Sequence, residues 1–579
     1  MTSTPGTPSS RIPLSVAGPV LCPYEGLEML NLPQFNRGTG FTAEERETFK
    51  LHGFLPSSLQ TLESQATRAY QQFRSLPTPL DKNSFLMSLK TQNEVLYFRL
   101  LQDHLKEMFS IVYTPTESEA IEQYSRLFRR PEGCFLDINF PERIEESLLA
   151  WGTNENVDYI VVSDGEEILG IGDQGVGAIG ISSAKGVLMT LCAGVHPSRI
   201  IPVALDVGTD NSALLNDDLY LGNRHSRVRG ARYDDFVAKF VEVVKRQYPR
   251  AILHFEDFGL SNARRLLDTY RPQLACFNDD VQGTGAVTLG ALLAAMKVLR
   301  MRMRDIRFVI FGAGTAGTGI ADQIRDFLKT EDVEAEQIFE HIWLVDKPGL
   351  LMKSMGDKLT PAQRQYAAYD ERWEGCDTTS LLEVIKRVKP HALIGCSTKP
   401  GSFTDEVLSE MAKHVDRPIV FPLSNPTRLH EATPEQILRA TNGKALVATG
   451  SPFDPINGRE IAENNNCFVY PGIGLGAILS RADRITDEII AAAALQLSSL
   501  APAVTADDPD GPLLPDVQDI REISAKVATA VVLKALEVGV ARVEQMDKVR
   551  VPREYGKCLA WVKTQMWKAE YRPLKRVMF

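Results

Sequence analysis

The spacing of hydrophobic and polar positions changes along the chain and separates a helical part from a mixed part. Between Thr42 and about Arg130, apolar residues recur every three or four positions, the period of an amphipathic helix. Thr42, followed by Glu44 and Glu45, is typical of a helix cap with an acidic first turn. The sequence therefore predicts a helical N-terminal region over residues 19–130.

From about Asp158 onward, short β-branched runs alternate with helical stretches. Strands are predicted at residues 159–163, 200–205, 251–255, 307–311, 342–345, 392–394, 418–421 and 445–449. Helices are predicted at residues 234–246 and 286–299 and from Ile520 onward, and residues 502–515, rich in Pro, Asp and Gly, are predicted to form a surface loop. Such alternation is typical of α/β domains built on mostly parallel sheets.

Composition narrows the class of protein. A chain of 579 residues with 44% hydrophobic and 24% charged residues is typical of a soluble enzyme with two to four packed units. The net charge of −10, without a basic stripe, argues against nucleic acid as a partner. The eight cysteines are scattered, which favours neither a zinc site nor a disulfide framework and fits a reducing compartment.

Apolar runs such as residues 289–295 and 489–497 are shorter than the ~20 residues of a membrane span, so no membrane partner is expected. The first 24 residues contain no Asp or Glu, and Arg11 is their only basic residue. Mitochondrial presequences are also poor in acids, but they are rich in Arg and helical. We therefore predict a disordered tail over residues 1–18 and a cytoplasmic location, with the mitochondrial matrix as the alternative.

Two glycine-rich loops match the G-x-G-x-x-G pattern of dinucleotide-binding proteins. In the first, a predicted strand leads into Gly312, Gly314 and Gly317, and a helix follows. The glycines permit a tight turn, close approach of the backbone to a pyrophosphate, and close helix packing. Asp346 ends the next strand, 29 residues beyond Gly317, where its carboxylate can bind the ribose hydroxyls of NAD. Lys347 beside it leaves NADP as an alternative cofactor.

The second loop, with Gly170, Gly172 and Gly175, also has an acid downstream, at Asp206. Asp173 lies inside this loop, and its carboxylate would repel a pyrophosphate. We therefore predict Gly312–Gly317 as the dinucleotide site, and expect the run 170–180 to allow tight backbone packing near a small substrate. A single G-x-G-x-x-G match is weak, as this pair of loops demonstrates.

Pairs of carboxylates follow two predicted strands. Glu256 and Asp257 end one apolar run, and Asp279 and Asp280 end another. Oxygen ligands at strand ends suit Mg²⁺ or Mn²⁺ rather than zinc, because no His or Cys cluster accompanies them. Turns often contain Asp for conformational reasons alone, and for a single pair that interpretation is the better one. Two pairs preceding a dinucleotide loop favour a metal site.

Several segments together resemble the malic enzymes. They are residues 35–46 (FNRGTGFTAEER), 111–116 (IVYTPT), 255–259 (FEDFG), 277–284 (FNDDVQGT), 423–427 (LSNPT) and 465–472 (NNCFVYPG). The resemblance extends over roughly residues 16–575, is highly specific in combination, and is closest to a fungal branch. It implies NAD-dependent conversion of (S)-malate to pyruvate and carbon dioxide with Mn²⁺ or Mg²⁺, and a homotetramer.

The resemblance also implies roles for individual residues. Tyr113 corresponds to the general acid that protonates the enolate carbon, and Lys185 to the base that takes the malate hydroxyl proton. Asp279 would hold and tune that lysine. The remaining assignments are Glu256, Asp257 and Asp280 as metal ligands; Gly312, Gly314, Gly317, Asp346 and Asn425 for the cofactor; and Asn425, Asn465 and Asn466 for malate.

With the resemblance included, the predicted fold class is α/β. A helical N-terminal region precedes a parallel α/β catalytic domain, a Rossmann-type NAD-binding domain and a helical C-terminal tail. The expected boundaries are 1–18 for the tail, 19–130 for the helical domain, 131–280 for the catalytic and metal-binding domain, and 281–466 for the NAD-binding domain. Residues 467–579 are expected to return to the catalytic domain and end in helices.

Two of the departures from the family pattern concern the segments with proposed catalytic or substrate-binding residues. Glu167 stands where many relatives have a substrate-binding arginine, so either another cation replaces it or malate binds differently. Glu117 and Ser118 replace the usual Val-Gly after the Tyr-Thr-Pro-Thr motif. Two alternative functions therefore stay open at this point: a malolactic enzyme, which yields lactate without net NADH, and an inactive NAD-binding regulator. A plain malate dehydrogenase fits least, because it needs no metal.

Overall fold

The computed structural model describes residues 17–168 and 170–577, and the chain divides into two compact units. Unit 1 comprises residues 1–251, 544–551 and 560–579; unit 2 comprises residues 252–543 and 552–559. The predicted disordered tail lies outside the described residues except for Ala17 and Gly18, whose carbonyl oxygens accept hydrogen bonds from Arg572.

The strands of the described chain are β1 (Val20–Cys22), β2 (Cys134–Asp137), β3 (Tyr159–Ser163), β4 (Ile200–Asp206), β5 (Ile252–Phe255), β6 (Cys276–Asn278), β7 (Phe308–Phe311), β8 (Ile342–Asp346), β9 (Gly349–Leu350), β10 (Ala392–Gly395), β11 (Ile419–Pro422), β12 (Leu446–Thr449), β13 (Ala462–Glu463) and β14 (Leu574–Arg576).

Its α-helices are α1 (Gly26–Leu30), α2 (Ala43–Thr48), α3 (Leu62–Arg74), α4 (Pro79–Gln92), α5 (Glu94–Asp103), α6 (Leu105–Val112), α7 (Thr116–Glu122), α8 (Tyr124–Leu127), α9 (Ile144–Leu149), α10 (Ala178–Ala193), α11 (Ser212–Leu215), α12 (Ala231–Gln247), α13 (Leu260–Tyr270), α14 (Thr284–Leu299), α15 (Thr315–Thr330), α16 (Pro361–Arg364), α17 (Leu381–Val388), α18 (Asp405–His414), α19 (Pro434–Ala440), α20 (Tyr470–Ser480), α21 (Asp487–Ser498), α22 (Pro502–Thr505), α23 (Ile520–Glu537), α24 (Val543–Met546) and α25 (Tyr555–Gln565).

Unit 1 combines the N-terminal helices with parallel strands. Thr42 caps α2 as the sequence predicts: its hydroxyl accepts from the Glu45 amide at 3.1 Å, and the Glu45 carboxylate accepts from the Thr42 amide. Strand β4 lies between β2 and β3, and both pairings are parallel. All five residues of β3 are buried, which explains its uninterrupted apolar sequence.

The C-terminal end of unit 1 differs from the predicted helical tail. After the helices, β14 pairs in parallel with β1, with Leu574 opposite Val20. The tail therefore finishes as a strand beside the N-terminal strand. A three-residue strand carries too little periodicity to be recognised without its partner.

Unit 2 contains a seven-stranded sheet in the order β13-β12-β11-β10-β7-β8-β9. Its pairings are parallel except for the antiparallel pair β8–β9. The chain leaves β7 for β8 on one side and later returns to β10 on the other, so β7 marks a topological switch point, where such sheets bind ligands. Strands β5 and β6 also pair in parallel within this unit.

Two helical stretches, Gly175–Ala193 and Asp279–Leu299, are long and apolar enough to be candidate membrane spans. Part of the second stretch, residues 286–299, was predicted as a helix, and its apolar run at residues 289–295 was judged too short to cross a membrane. The two stretches are 94% and 83% buried inside the fold, which is typical of the core helices of a globular protein.

The architecture confirms the predicted α/β class with a Rossmann-type sheet, and each predicted strand begins and ends within one or two residues of an observed one. One local prediction is wrong. The segment 502–515 is not loop throughout, because Pro502 begins the short helix α22. Proline fits the first turn of a helix, because the amide groups of that turn have no acceptor within the helix and proline has no amide hydrogen.

Candidate active site

The predicted proton-transfer pair lies in unit 1. Tyr113 follows the last residue of α6, and its side chain is buried, with its ring packed edge-on against Phe109. Lys185 lies in the middle of α10 and is only 1% exposed. The Lys185 Nζ lies 5.5 Å from the centre of the Tyr113 ring. An isolated lysine is ordinarily a surface residue, and this one is not.

The second glycine-rich loop is organised around Asp173. The Asp173 carboxylate accepts hydrogen bonds from Arg227 Nε at 2.8 Å, from the Thr209 hydroxyl at 2.8 Å and from the Asp210 amide at 2.8 Å. A Cβ atom at Gly175 would lie 2.0 Å from the Tyr220 hydroxyl, so this glycine is required for close packing. The loop therefore encloses a buried ion pair, which is not the arrangement of a phosphate cradle.

Glu167 is exposed, in the segment that precedes the glycine-rich loop around Asp173. Two arginines bind the acids that precede it in the sequence. Arg227 Nη1 lies 3.6 Å from Asp164 Oδ2, and Arg229 Nη1 lies 2.5 Å from Glu166 Oε1. Cations are therefore present at this loop, although none occupies position 167 itself.

The predicted metal-binding carboxylates converge in unit 2. Glu256 and Asp257 follow β5, and Asp280 lies in the helical turn after β6. One oxygen from each of the three lies within 4.8 Å of the others. Glu256 and Asp257 are buried, and the Asp257 amide donates to Asp280 Oδ2 at 2.9 Å. The parallel pairing of β5 with β6 thus brings together side chains that are more than 20 residues apart in the sequence.

His254, which was not predicted from the sequence, forms with Glu256 and Asp279 a second group whose possible ligand atoms lie within 4.8 Å of one another. Its Nε2 lies 2.9 Å from Glu256 Oε2, and the ring packs against Phe277 and Tyr470. The signal was present: in a strand, residues two apart share a face, so His254 on β5 points the same way as Glu256. A buried histidine bonded to a carboxylate orients it.

Asn466 reaches the same region of unit 2. Its amide nitrogen donates to the Thr284 hydroxyl at 3.0 Å and to the Asp279 carbonyl oxygen at 3.3 Å. A Cβ atom at Gly283 would lie 1.8 Å from Asp279 Oδ1, so only glycine fits there. Asn465 differs: its side chain bonds to the Cys467 amide and to Glu463, within its own turn.

The predicted dinucleotide loop connects β7 to α15. Gly312 has φ of +106°, and a Cβ atom there would lie 2.4 Å from the Cys396 carbonyl oxygen. At Gly317 a Cβ atom would lie 1.9 Å from the Gly312 carbonyl oxygen, so both positions require glycine. Because α15 begins at Thr315, its amide-rich N-terminus faces this loop, as phosphate binding requires.

Asp346 ends β8 beside the loop, and Gln363 links the two. Gln363 Nε2 donates to the Ala313 carbonyl oxygen at 3.0 Å and to Asp346 Oδ2 at 3.3 Å. Gln363 was not predicted as a site residue, because its only visible signal in the sequence is its capping box with Thr360 on α16. Asn425, beyond the end of β11, is exposed, and its Oδ1 accepts from the Ser451 hydroxyl at 2.5 Å.

Glu117, one of the departures from the family pattern, lies buried on α7 in unit 1. Asn83 Nδ2 donates to its Oε2 at 3.0 Å. Burial and the nearby charge of Glu132 raise the pKa of Glu117 from its ordinary 4.5 to about 8. The folded protein therefore keeps a proton on Glu117 at pH values where the unfolded chain has released it.

This proton makes stability depend on pH. Between pH 4.5 and about 8, the stability of the wild type falls as pH rises. In this range the native state binds a proton on Glu117 that the unfolded state has released, so rising pH favours unfolding. Glu117→Gln stays neutral, so its melting temperature relative to wild type should rise across this range, by about 2 °C or more. Thermal melts at several pH values test this, with the exposed Glu119→Gln on the same helix as control. A difference between Glu117→Gln and wild type that stays constant with pH would contradict it.

A parallel sheet with a glycine-rich loop at its switch point and an acidic cluster in the same unit defines a dinucleotide-binding α/β protein. The chain matches the family description "Malic enzyme, NAD binding domain" over residues 281–536 and "Malic enzyme, N-terminal domain" over residues 90–271. The chain belongs to the malic enzyme family. The NAD-binding match contains the loop from Gly312 to Gly317 and excludes the loop around Asp173.

Three similar proteins extend over nearly the whole chain. The "NAD-dependent malic enzyme, mitochondrial" of Saccharomyces cerevisiae is 53% identical over 97% of this chain and 85% of its own length. The "NAD-dependent malic enzyme" of Schizosaccharomyces pombe is 42% identical over 97% and 100%. The "NAD-dependent malic enzyme 3" of Bacillus subtilis is 44% identical over 97% and 98%.

Among solved structures, the malic enzyme of Entamoeba histolytica resembles this chain with a TM-score of 0.56 at 23% identity, covering 91% of this chain and 92% of that one. That of Pyrococcus horikoshii has a TM-score of 0.53 at 23% identity, with coverage of 80% and 89%. These two likenesses concern the fold.

Proposed function

We propose that this protein catalyses the NAD-dependent oxidative decarboxylation of (S)-malate to pyruvate and carbon dioxide. The observation that carries the proposal is the set of relatives named NAD-dependent malic enzymes, 42% to 53% identical over 97% of the chain. The alternatives drawn from the sequence, a malolactic enzyme and an inactive regulator, find no support among these relatives.

The acidic cluster of unit 2 fits a divalent metal. Its donors are carboxylate oxygens of Glu256, Asp257 and Asp280 within 4.8 Å of one another, which is the chemistry of Mg²⁺ or Mn²⁺. When bound, the metal supplies Lewis acidity to the oxygens of malate, and NAD supplies the hydride acceptor. We assign these three residues as its ligands, and His254 as the group that orients Glu256.

The proton transfers are assigned to unit 1. Lys185 takes the hydroxyl proton of malate as the hydride leaves C2, and Tyr113 delivers a proton to C3 once carbon dioxide has left. The burial of both side chains supports these roles, because a protected amine or phenol exchanges protons with bound substrate rather than with solvent. Asp279, in the helical turn after β6, is proposed as a further catalytic residue.

The remaining assignments concern binding. The loop from Gly312 to Gly317 is proposed to bind the pyrophosphate of NAD, and Asp346 the adenosine ribose. Asn425 is proposed to contact both cofactor and malate, and Asn466 to bind malate. Asn465 is retained as a malate-binding residue, although its side chain bonds within its own turn.

The first experiment measures NADH formed from L-malate with NAD and Mn²⁺, while pyruvate and lactate are quantified. Equal amounts of pyruvate and NADH, abolished by EDTA and restored by added Mn²⁺, are expected. Lactate without net NADH would overturn the proposal in favour of the malolactic alternative, and the absence of turnover would favour the regulator.

Cofactor choice gives a separate prediction. Replacing Asp346 with serine should lower the ratio of kcat/KM for NAD to kcat/KM for NADP by about tenfold or more, because the carboxylate binds ribose hydroxyls and repels a 2′-phosphate. The exposed Lys347 would remain beside that phosphate. Initial rates with both cofactors measure the ratio, with the exposed Asp357→Ser as control. An unchanged ratio would remove Asp346 from the ribose site.

Assembly and location follow the family resemblance. A homotetramer is proposed, and light scattering of the purified protein at several concentrations tests it.

For location, the cytoplasm and the mitochondrial matrix both stay as proposals, since the Saccharomyces cerevisiae relative is named as mitochondrial. Fractionation of cells that express the tagged chain distinguishes them.

A further inference from the structure

One buried carboxylate in unit 2 joins two loops at the carboxyl edge of the sheet. Glu431 is 0% exposed. Its Oε1 accepts hydrogen bonds from the Ser397 amide at 2.8 Å, the Ser397 hydroxyl at 2.8 Å and the Ser424 hydroxyl at 2.5 Å. Ser397 follows β10 and Ser424 follows β11, so a single oxygen atom holds the ends of two neighbouring strands.

The surrounding contacts leave this side chain little freedom. A Cβ atom at Gly395 would lie 2.5 Å from the Glu431 Cδ, so the carboxylate packs directly on the β10 backbone. The Ser424 hydroxyl also accepts from the Thr398 amide at 2.9 Å, which joins the two loops a second time. The positions of both loops therefore depend on where the Glu431 carboxylate lies.

These loops lie at the groups proposed to bind NAD. At Gly312, a Cβ atom would lie 2.6 Å from the Ser397 amide nitrogen, so the loop after β10 touches the dinucleotide loop. Asn425, proposed to contact cofactor and malate, directly follows Ser424 in the sequence. The carboxylate thus lies beneath the cofactor site without being part of its surface.

Strand order indicates which half of the cofactor is involved. The pyrophosphate loop follows β7, and Asp346, proposed for the adenosine ribose, ends β8 on one side of β7. Strands β10 and β11 lie on the other side. A dinucleotide whose pyrophosphate lies over β7 must therefore extend its nicotinamide half over the ends of β10 and β11.

We propose that Glu431 is a positioning residue for the nicotinamide half of NAD. Glu431 acts through the loops that contain Ser397 and Ser424. This role rests on the proposed function, in which the protein uses NAD. The role of Glu431 is to fix the distance between the pyrophosphate loop and Asn425, so that the nicotinamide ring is held where a hydride can reach it.

The test uses Glu431→Gln, which keeps the volume of the side chain. A glutamine either presents a weaker acceptor to the three donors or turns its NH₂ toward them, and in both cases the loops lose their common anchor. The matched control is Glu435→Gln, because Glu435 is exposed on α19. Binding of NAD and of ADP, which carries only the adenosine half, is measured by calorimetry on the full-length protein.

We expect the Kd for NAD to rise by about tenfold or more, the Kd for ADP to change by less than about twofold, and kcat for malate to fall. Equal weakening of NAD and ADP would indicate general loss of the fold and overturn the proposal, as would an unchanged Kd for NAD. Wild-type protein that binds no NAD would instead refute the proposed function, so the two failures are distinguishable.

A milder variant tests the same proposal if Glu431→Gln does not fold. Ser424→Ala removes one donor to Glu431 and the acceptor of the Thr398 amide, and it leaves Glu431 in place, so it should also weaken NAD binding more than ADP binding. In the double variant with Glu431→Gln, the loss of NAD affinity should be smaller than the product of the two single losses, because both act through one contact. Losses that multiply independently would overturn the coupling.

Discussion

Replacing Lys185 with methionine should lower kcat for malate oxidation by about 10²- to 10⁴-fold while the Kd for NAD stays within about twofold of wild type. Lys185 is 1% exposed in the middle of α10, so methionine, which is similar in length and apolar, fits the same space. The variant should therefore fold and lose only the amine that we propose accepts the hydroxyl proton of malate.

The measurement pairs steady-state rates with calorimetric titration of NAD. Lys239→Met, on the exposed face of α12 in the same unit, is the control, and its kcat should match that of wild type. A kcat for Lys185→Met within tenfold of wild type would exclude this lysine as the base and direct attention to another buried group.

Replacing Glu256 with glutamine should raise the Kd for Mn²⁺ by about 100-fold or more. Changing a group that only orients a ligand costs 10- to 100-fold in metal affinity, and removing a ligand's charge costs at least as much. Glu256 is 0% exposed and one of three carboxylates whose oxygens lie within 4.8 Å, so the variant removes one buried negative charge from the cluster.

Electron paramagnetic resonance of free Mn²⁺ measures this affinity in protein first stripped with a chelator, without relying on turnover. Glu406→Gln, on the exposed part of α18, serves as control. Added Mn²⁺ should restore activity to the stripped wild type at concentrations that leave Glu256→Gln inactive. Equal affinities in the two proteins would place the metal elsewhere.

Much of the fold was predictable because its strands are short, apolar and separated by helices of a different period. β3 occupies the residues predicted for it, and β8 extends the predicted strand by one residue, to Asp346. The parallel sheet of unit 2 follows from that alternation, since parallel neighbours require crossover helices. The capping box of α2 was also visible, because both of its partners lie within four residues.

The candidate site was only partly predictable. Strand ends located Glu256, Asp257 and Asp280, since carboxyl ends of parallel strands meet at one edge. The burial of Lys185 was not predicted, because an isolated lysine is ordinarily a surface residue, although the apolar circumference of α10 is typical of a buried helix. Nor could the sequence show that Gln363 bonds to Asp346, because that contact depends on the path of a loop.

What the sequence by itself determined was local: the period of each element, the caps, the glycines and the acids at strand ends, and, through its motifs, the family resemblance. Tertiary structure decided which distant groups meet. Arg227 reaches Asp173 across 54 positions, Glu431 reaches Ser397 across 34, and β14 returns to β1 from the far end of the chain. The physical reason is that periodicity records which face of an element is buried, whereas the partner on that face is set by the packing of the complete core.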